Sequence, residues 1–143
     1  MKGIADTGFL VGFANRNDRH HNWAVSVAGR VTEPLLTCEA VLAETAFHLR
    51  NVPLVLAMIR DGLIALAFDC QDHLAQLAAL AGRYANRQPD LADLCLIRMS
   101  ELYPRHSVIT VDHKDFRIYR RNKREAIPLI YPPQASEGRN TGL

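Results

Sequence analysis

Two aspartates directly follow apolar segments of strand length, a placement from which carboxylates could do chemistry. Asp6 comes after residues 3–5, and Asp112 comes after the β-branched run 108–111. Such runs are typical of buried strands in parallel sheets. In α/β folds the carboxyl ends of the strands form the edge where ligands bind, so we expect both carboxylates to stand at a binding crevice.

Three further acids lie on segments with helical spacing. Glu44 projects from a largely apolar face, since its neighbours one turn away include Val41 and Phe47, while Asp90 and Asp93 are one turn apart on another helix. Carboxylates on core-facing positions are costly unless something pairs with them, and several together repel one another. A hard cation such as Mg²⁺ or Mn²⁺ resolves that conflict and can activate water against a phosphate ester. The pattern therefore predicts a metal site.

Ordinary structural roles are also open to most of these acids. Asp6 could cap a helix that begins at Thr7, Asp90 could favour the helix dipole in a first turn, and Asp112 could occupy a turn. Glu44 has no such role, because a residue in the middle of a helix caps nothing. The joint occurrence of these acids favours a metal site, while the class of enzyme stays open at this point.

The segments around the acids alternate between strands and helices. Strands are predicted at residues 2–5, 34–37, 63–68, 107–111 and 127–131. Helices are predicted at residues 7–14, 23–28 (capped by Asp18), 38–50, 53–62, 72–84 and 90–102. This alternation predicts one α/β domain over residues 1–131, with a central parallel sheet flanked by helices on both faces. Residues 132–143 are predicted to form a flexible polar tail.

The composition is that of an ordinary globular domain. The 143 residues are 48% hydrophobic and 22% charged, and no apolar run reaches the length of a membrane span. An aspartate at position 6 argues against a secretory signal. Cys38, Cys70 and Cys95 form no close pair, and the six histidines form no clear ligand pair, so surface or packing roles are expected for them. We therefore expect reduced thiols and a cytoplasmic location.

A basic segment lies near the end of the predicted domain. Residues 117–124 contain five Lys or Arg side chains and a tyrosine. Such a cluster can contact nucleic-acid phosphates without reading sequence, and Arg117, Arg120 and Arg121 are the candidates for this. A solvated surface loop is the alternative interpretation.

Four segments together resemble the PIN-domain ribonuclease family, particularly VapC-type toxins of type II toxin–antitoxin systems. They are ADTGFLV (residues 5–11), VLAET (41–45), DLADLCL (90–96) and ITVDHKDF (109–116), with DRHHNWA (18–24) following the first. Their order and spacing match over residues 1 to about 131. Leu94-Cys95 departs from the pattern, because alanine and a following apolar residue are more typical there.

The resemblance implies a compact α/β fold and an Mg²⁺- or Mn²⁺-dependent endoribonuclease. It transfers the family's acidic residues to Asp6, Glu44, Asp93 and Asp112. Asp6, Asp93 and Asp112 would hold the metal, directly or through water, and Glu44 would complete the shell or orient the attacking water. The additional candidates are Asp90, Thr7 and Thr110. The implied partners are RNA, a cognate antitoxin protein and a second copy of the chain in a homodimer, with no membrane.

Other functions remain open from the sequence alone. An RNA-processing nuclease without a toxin role would carry the same acids, and a non-catalytic PIN module would bind RNA or a protein without cleaving. The triplet Asp6-Thr7-Gly8 also occurs in aspartic proteases. Those proteins are rich in β-structure, whereas this chain is rich in predicted helix.

Overall fold

The computed structural model of the chain describes residues 1–133 and contains one main sheet. In chain order the strands are β1 (Gly3–Ala5), β2 (Leu35–Thr37), β3 (Ile64–Leu66), β4 (Ser107–Ile109), β5 (Arg120–Arg121), β6 (Glu125–Ala126) and β7 (Leu129–Ile130). Five of them form a parallel sheet in the order β3-β2-β1-β4-β7, with β1 at its centre. Strands β5 and β6 form a separate antiparallel hairpin.

Helices connect the strands and flank the sheet. They are α1 (Thr7–Ala14), α2 (His21–Ala28), α3 (Glu39–Leu49), α4 (Val52–Arg60), α5 (Leu74–Arg83), α6 (Leu91–Leu102) and α7 (His113–Phe116), with 3₁₀ turns at Cys70–His73 and Ala85–Arg87. Helix α1 packs against α2 and α3, and α6 packs against α5, β1 and β4. The predicted class, an α/β domain with a parallel sheet flanked by helices, is confirmed.

The core lies around the two central strands and α6. Ile4, Ala5, Val108 and Ile109 are fully buried. Because successive residues of a strand point to opposite faces, their burial means that both faces of the sheet are covered. Helix α6 is buried over most of its circumference rather than along one stripe, as expected of a helix surrounded by protein. This rigid centre carries the first turn of α6, where Asp93 lies.

The structure corrects two details of the sequence-based prediction. Asp18 does not cap α2: its Oδ1 accepts a hydrogen bond from the His20 backbone N–H at 2.8 Å, in the turn before that helix. The basic segment is a hairpin rather than a loop, with Asn122 and Lys123 at φ 49° and 70° in its turn. The predicted polar tail lies, from residue 134 onward, outside the described residues, and the domain boundary stays a prediction.

The three cysteines come together although they are distant in sequence. All are free, Cys38 and Cys95 are buried, and Sγ of Cys70 lies 3.5 Å from Sγ of Cys95. They fill space between α3, α6 and the 3₁₀ turn that contains Cys70. Within residues 1–133, no helix has both the length and the apolar character needed to cross a bilayer.

Candidate active site

The central strands bring the first and last predicted acids to one edge of the sheet. Ala5 at the end of β1 pairs with Ile109 at the end of β4, and the backbone N–H of Asp6 donates to the Ile109 carbonyl at 3.0 Å. Asp6 and Thr110, the next residue of each strand, therefore lie side by side at the carboxyl edge of the sheet. Their side chains are joined directly, since the Thr110 hydroxyl donates to Oδ2 of Asp6 at 2.7 Å.

Asp6 combines a helix-capping role with a place in the site. Its other oxygen, Oδ1, accepts from the backbone N–H of Thr7 at 2.7 Å, where α1 begins. Only 8% of Asp6 is exposed. Each carboxylate oxygen has more than one lone pair, so both oxygens keep the capacity to accept a further ligand. The cap thus fixes the carboxylate without excluding it from metal chemistry.

Two threonines tie the acids to one another. The Thr7 hydroxyl donates to Oε1 of Glu44 at 2.8 Å, which connects the start of α1 to the middle of α3. The Thr110 hydroxyl donates to Asp6 and accepts from the backbone N–H of Asp112 at 2.9 Å. Both threonines are buried, so their hydroxyls have little freedom to turn elsewhere.

Asp90 and Asp93 lie at the start of helix α6, on the other side of the site from Asp6 and Glu44. Asp90 is the N-cap of α6, and its Oδ1 accepts from the backbone N–H of Asp93 at 2.8 Å. The sequence suggested a place inside the first helical turn for Asp90, whereas the structure makes it the residue that caps the helix. Asp93 is half-buried, and its Oδ2 accepts from the Tyr119 hydroxyl at 3.3 Å.

These acids line a single cleft of about 430 Å³, which we call the acidic cleft. Its lining residues are Asp6, Thr7, Gly8, Val11, Asp18, His20, Glu44, His48, Asp90, Asp93, Val111 and Asp112. The structure thus brings the four principal acids predicted from sequence into one place, together with Asp90 and Thr7, while Thr110 is buried beneath them. Among residues 1–133, no three acidic, histidine or cysteine side chains form a ready ligand set. Mg²⁺ commonly uses one or two carboxylates plus waters and substrate phosphate, so an open arrangement suits it.

Burial, together with neighbouring negative charge, raises the pKa values of three acids of the cleft. Burial raises the pKa of Asp6 to about 6 and the charges of Glu44 and Asp112 add to the rise, although hydrogen bonds from Thr110 and Thr7 oppose it. Burial raises the pKa of Asp93 to about 8, with the charges of Asp90 and Asp6 next in importance. Burial and the neighbouring Asp115 also raise the pKa of Asp112. A bound cation would offset both the cost of burying these carboxylates and the repulsion between them.

A glycine allows the two strand-end acids to approach. A Cβ added to Gly8 in α1 would overlap Cγ2 of Val111, the residue just before Asp112. The helix that begins at Asp6 therefore packs directly against the segment that carries Asp112. Any side chain at position 8 would push these two segments apart.

Comparison with known proteins supports this fold but not a function. No family model matches the chain, and no curated protein matches it in sequence. Among solved structures, VapC20 of Mycobacterium tuberculosis, a toxin that cleaves the sarcin–ricin loop, is similar with a TM-score of 0.64. The two are 18% identical, and the match covers 76% of this chain and 87% of that one.

This chain has a PIN-like fold.

Several residues at the cleft of this PIN-like fold carried no clear sequence signal. Asp18 and His20 reach it from the loop between α1 and α2, and nothing local indicates that. His48 could have been found, because it lies one helical turn after Glu44 and so shares its face. Tyr119 reaches Asp93 only through the fold, and no spacing predicts the contact.

The basic candidates of the hairpin separate into two kinds. Arg121 is buried, pairs with Glu125 and donates to the carbonyls of Ser100 and Pro104 at 2.9 and 3.2 Å. It satisfies carbonyl groups at and just beyond the end of α6, so of the three predicted arginines it has the least side chain available for an RNA contact.

The RNA contacts of Arg117 and Arg120 stay predictions. Arg117 is exposed. Arg120 is half-buried, and its guanidinium donates to the backbone carbonyl of Arg117 at 2.7 Å. Of the two, Arg117 has its side chain most open to a ligand.

Proposed function

We propose that this chain is an Mg²⁺- or Mn²⁺-dependent endoribonuclease and the toxin component of a toxin–antitoxin pair. The observation that carries the proposal is the acidic cleft at the carboxyl edge of a PIN-like sheet. Four carboxylates from four separate segments meet there, and burial, with their mutual repulsion added, raises the pKa of Asp6 to about 6 and that of Asp93 to about 8. A protein that only needed to fold would gain stability by removing that repulsion.

The donor set fits a hard divalent cation. Asp6, Asp93 and Asp112 would hold the ion, directly or through water, and all offer the oxygen ligands that Mg²⁺ and Mn²⁺ prefer. When bound, the ion would supply a more acidic water and neutralise charge on the phosphate. The neighbouring thiols of Cys38 and Cys95 are buried in the core and do not line the cleft.

The chain's own residues then have distinct roles. Thr7 and Thr110 hold the carboxylates of Glu44 and Asp6 at fixed positions. Glu44 accepts a hydrogen bond from the attacking water and takes up its proton. The water oxygen forms the new bond to phosphorus as the bond to one ester oxygen breaks, and that oxygen leaves with a proton from solvent. Arg117, and less directly Arg120, would contact the RNA backbone.

The toxin assignment rests on similarity and on an exposed apolar surface. VapC20 is a toxin, and its similarity to this chain is the argument for the same role here. Phe47, Val52 and Leu56 on α3 and α4 are 77%, 57% and 57% exposed. Large apolar side chains grouped on one surface favour a protein partner, so we propose that an antitoxin or a second copy of the chain covers them. The cytoplasm is the location that such a toxin requires.

Cleavage of total RNA by the purified protein tests the activity. The protein is incubated with Mg²⁺, with Mn²⁺ or with EDTA, and the cut ends are mapped. We expect discrete cuts that need the metal and that disappear in Asp6→Asn and Asp93→Asn, while Asp72→Asn, an exposed acid outside the cleft, cleaves normally. Cleavage that persists in EDTA, or full activity of Asp6→Asn, would refute the proposal.

Two outcomes would replace the toxin assignment by one of its alternatives. RNA binding without cleavage under any metal condition would indicate a non-catalytic module. Cleavage without growth arrest on induced expression would indicate a processing nuclease. The toxin role predicts arrest by the wild type and normal growth with Asp6→Asn.

A further inference from the structure

We propose that Tyr119 is a positioning residue whose hydroxyl holds the carboxylate of Asp93 in the geometry that binds the divalent ion. The inference rests on the proposed function and adds to it a residue outside the acidic cleft. The Tyr119 hydroxyl donates to Oδ2 of Asp93 at 3.3 Å, and Tyr119 itself is not among the residues that line the cleft.

Tyr119 is held more rigidly than the carboxylate it contacts. It is 1% exposed, and its ring packs at steep angles against Tyr84 and Phe116, with centroids 5.0 and 5.3 Å away. A ring enclosed on two sides in this way cannot swing its hydroxyl to another partner. Its position is therefore set by the core and not by Asp93.

The backbone around Tyr119 is also fixed. Its N–H donates to the carbonyl of Asp115 at 3.1 Å, and the N–H of the next residue, Arg120, donates to the Tyr84 hydroxyl at 2.8 Å. The same aromatic cluster thus holds both the ring and the main chain. Asp93 receives its hydrogen bond from a donor that two independent sets of contacts keep in place.

Asp93 needs such a donor because its neighbours repel it. Asp90 lies one turn away on the same helix face, and Asp6 and Asp112 carry like charge from the other side of the cleft. Asp93 is only half-buried, so rotation toward water would reduce the repulsion at the cost of the metal geometry. A hydrogen bond from a fixed phenol opposes that rotation. It uses one lone pair of a carboxylate that has several, so it leaves the group able to bind a metal.

Outer partners of this kind commonly matter for metal affinity. Groups that orient a metal-binding side chain typically change affinity by 10- to 100-fold when they are removed. Tyr119→Phe takes away only the hydroxyl and leaves the ring packing intact. We therefore expect Mn²⁺ affinity to fall by roughly tenfold or more in this variant.

Tyr103→Phe is the matched control. The Tyr103 hydroxyl also donates one hydrogen bond from beside α6, to the carbonyl of Ala67 at 3.2 Å, but it lies at the opposite end of that helix from Asp93. We expect its Mn²⁺ affinity, measured by electron paramagnetic resonance titration of the intact protein, to equal that of the wild type. Equal affinity of Tyr119→Phe and the wild type would overturn the proposal.

A second readout is independent of metal. The melting temperature is measured in EDTA for Tyr119→Phe, both in the wild type and in an Asp93→Ala background. We expect Tyr119→Phe to lower the melting temperature in the wild type and to have much less effect when Asp93 is absent. An equal decrease in both backgrounds, with unchanged Mn²⁺ affinity, would show a merely structural role. A wild type that binds no Mn²⁺ would instead refute the proposed function, and this inference with it.

Discussion

Replacing Asp6 by asparagine should stabilise the metal-free protein at neutral and alkaline pH, although it abolishes the proposed activity. Asparagine is nearly isosteric with aspartate. Its Oδ1 can still accept a hydrogen bond from the Thr7 backbone N–H. Its amide N–H can donate to the Thr110 hydroxyl oxygen, which reverses the direction of the hydrogen bond that Thr110 donates to Asp6 in the wild type. What disappears is a negative charge that burial and neighbouring carboxylates disfavour.

The magnitude follows from the raised pKa of Asp6. A change from the ordinary value of 3.8 to about 6 corresponds to about 3 kcal/mol. The folded protein binds the Asp6 proton more tightly than the unfolded chain does. The contribution of Asp6 to the free energy of unfolding is therefore highest below pH 4, falls as the pH rises from about 4 to about 6, and stays low above that. Rearranged hydrogen bonds offset roughly 1 kcal/mol, so a net gain of roughly 2 kcal/mol is expected at pH 8.

Urea unfolding at pH 4, 6 and 8 in EDTA measures this effect. We expect the free energy of unfolding of Asp6→Asn to exceed that of the wild type at pH 8 and to lose that advantage at pH 4. The control Asp72→Asn should match the wild type at every pH. Adding Mg²⁺ should then stabilise the wild type, because a ligand that binds only the folded state raises its stability, and leave Asp6→Asn nearly unchanged. A variant no more stable than the wild type at pH 8 in EDTA would refute the reasoning.

Two further pairs of variants test the packing and the basic hairpin. Gly8→Ala should destabilise the protein by about 1–3 kcal/mol and reduce RNA cleavage, because the added Cβ would overlap Val111. Its control, Gly82→Ala, should be neutral or stabilising, because nothing lies within 4 Å of the added Cβ. Equal shifts of the urea midpoint in the two variants would contradict this. Arg121→Ala should lower the free energy of unfolding by about 2–4 kcal/mol, because it leaves buried carbonyls without a donor. Arg117→Ala should keep full stability but reduce the slope of log RNA affinity against log salt concentration by the equivalent of about one phosphate contact. An unchanged slope would exclude a role for Arg117 in binding the RNA backbone.

The strand-end acids could be predicted because their placement depends on one general property of parallel sheets. Asp6 and Asp112 follow segments whose apolar character predicts buried strands, and neighbouring parallel strands end at the same edge. Glu44 was predictable for a different reason, since a charged residue in the middle of an apolar helix face has no ordinary local role. Predicting the positions of these acids required no knowledge of how the loops pack.

The contacts that complete the site depend on long-range packing that the sequence does not display. Tyr119 reaches Asp93 because the chain after α7 returns toward α6, and Asp18 reaches the cleft through an irregular loop. The sequence displays the charge of Arg121, which favours an RNA contact, but it does not display the carbonyls of Ser100 and Pro104 that accept its hydrogen bonds. The hairpin turn carries no glycine signal, since residues 122 and 123 adopt a positive φ without glycine.

Direct measurement of Mn²⁺ binding tests the central claim, that excess negative charge in the acidic cleft makes a bound divalent cation favourable. Electron paramagnetic resonance follows free Mn²⁺ as it is titrated into the wild type, Asp6→Asn, Asp93→Asn and the control Asp72→Asn at pH 8. Saturable binding by the wild type and by Asp72→Asn, with at least tenfold weaker binding by the two cleft variants, is the predicted result. Binding that is absent from the wild type, or equally strong in all four proteins, would contradict the account.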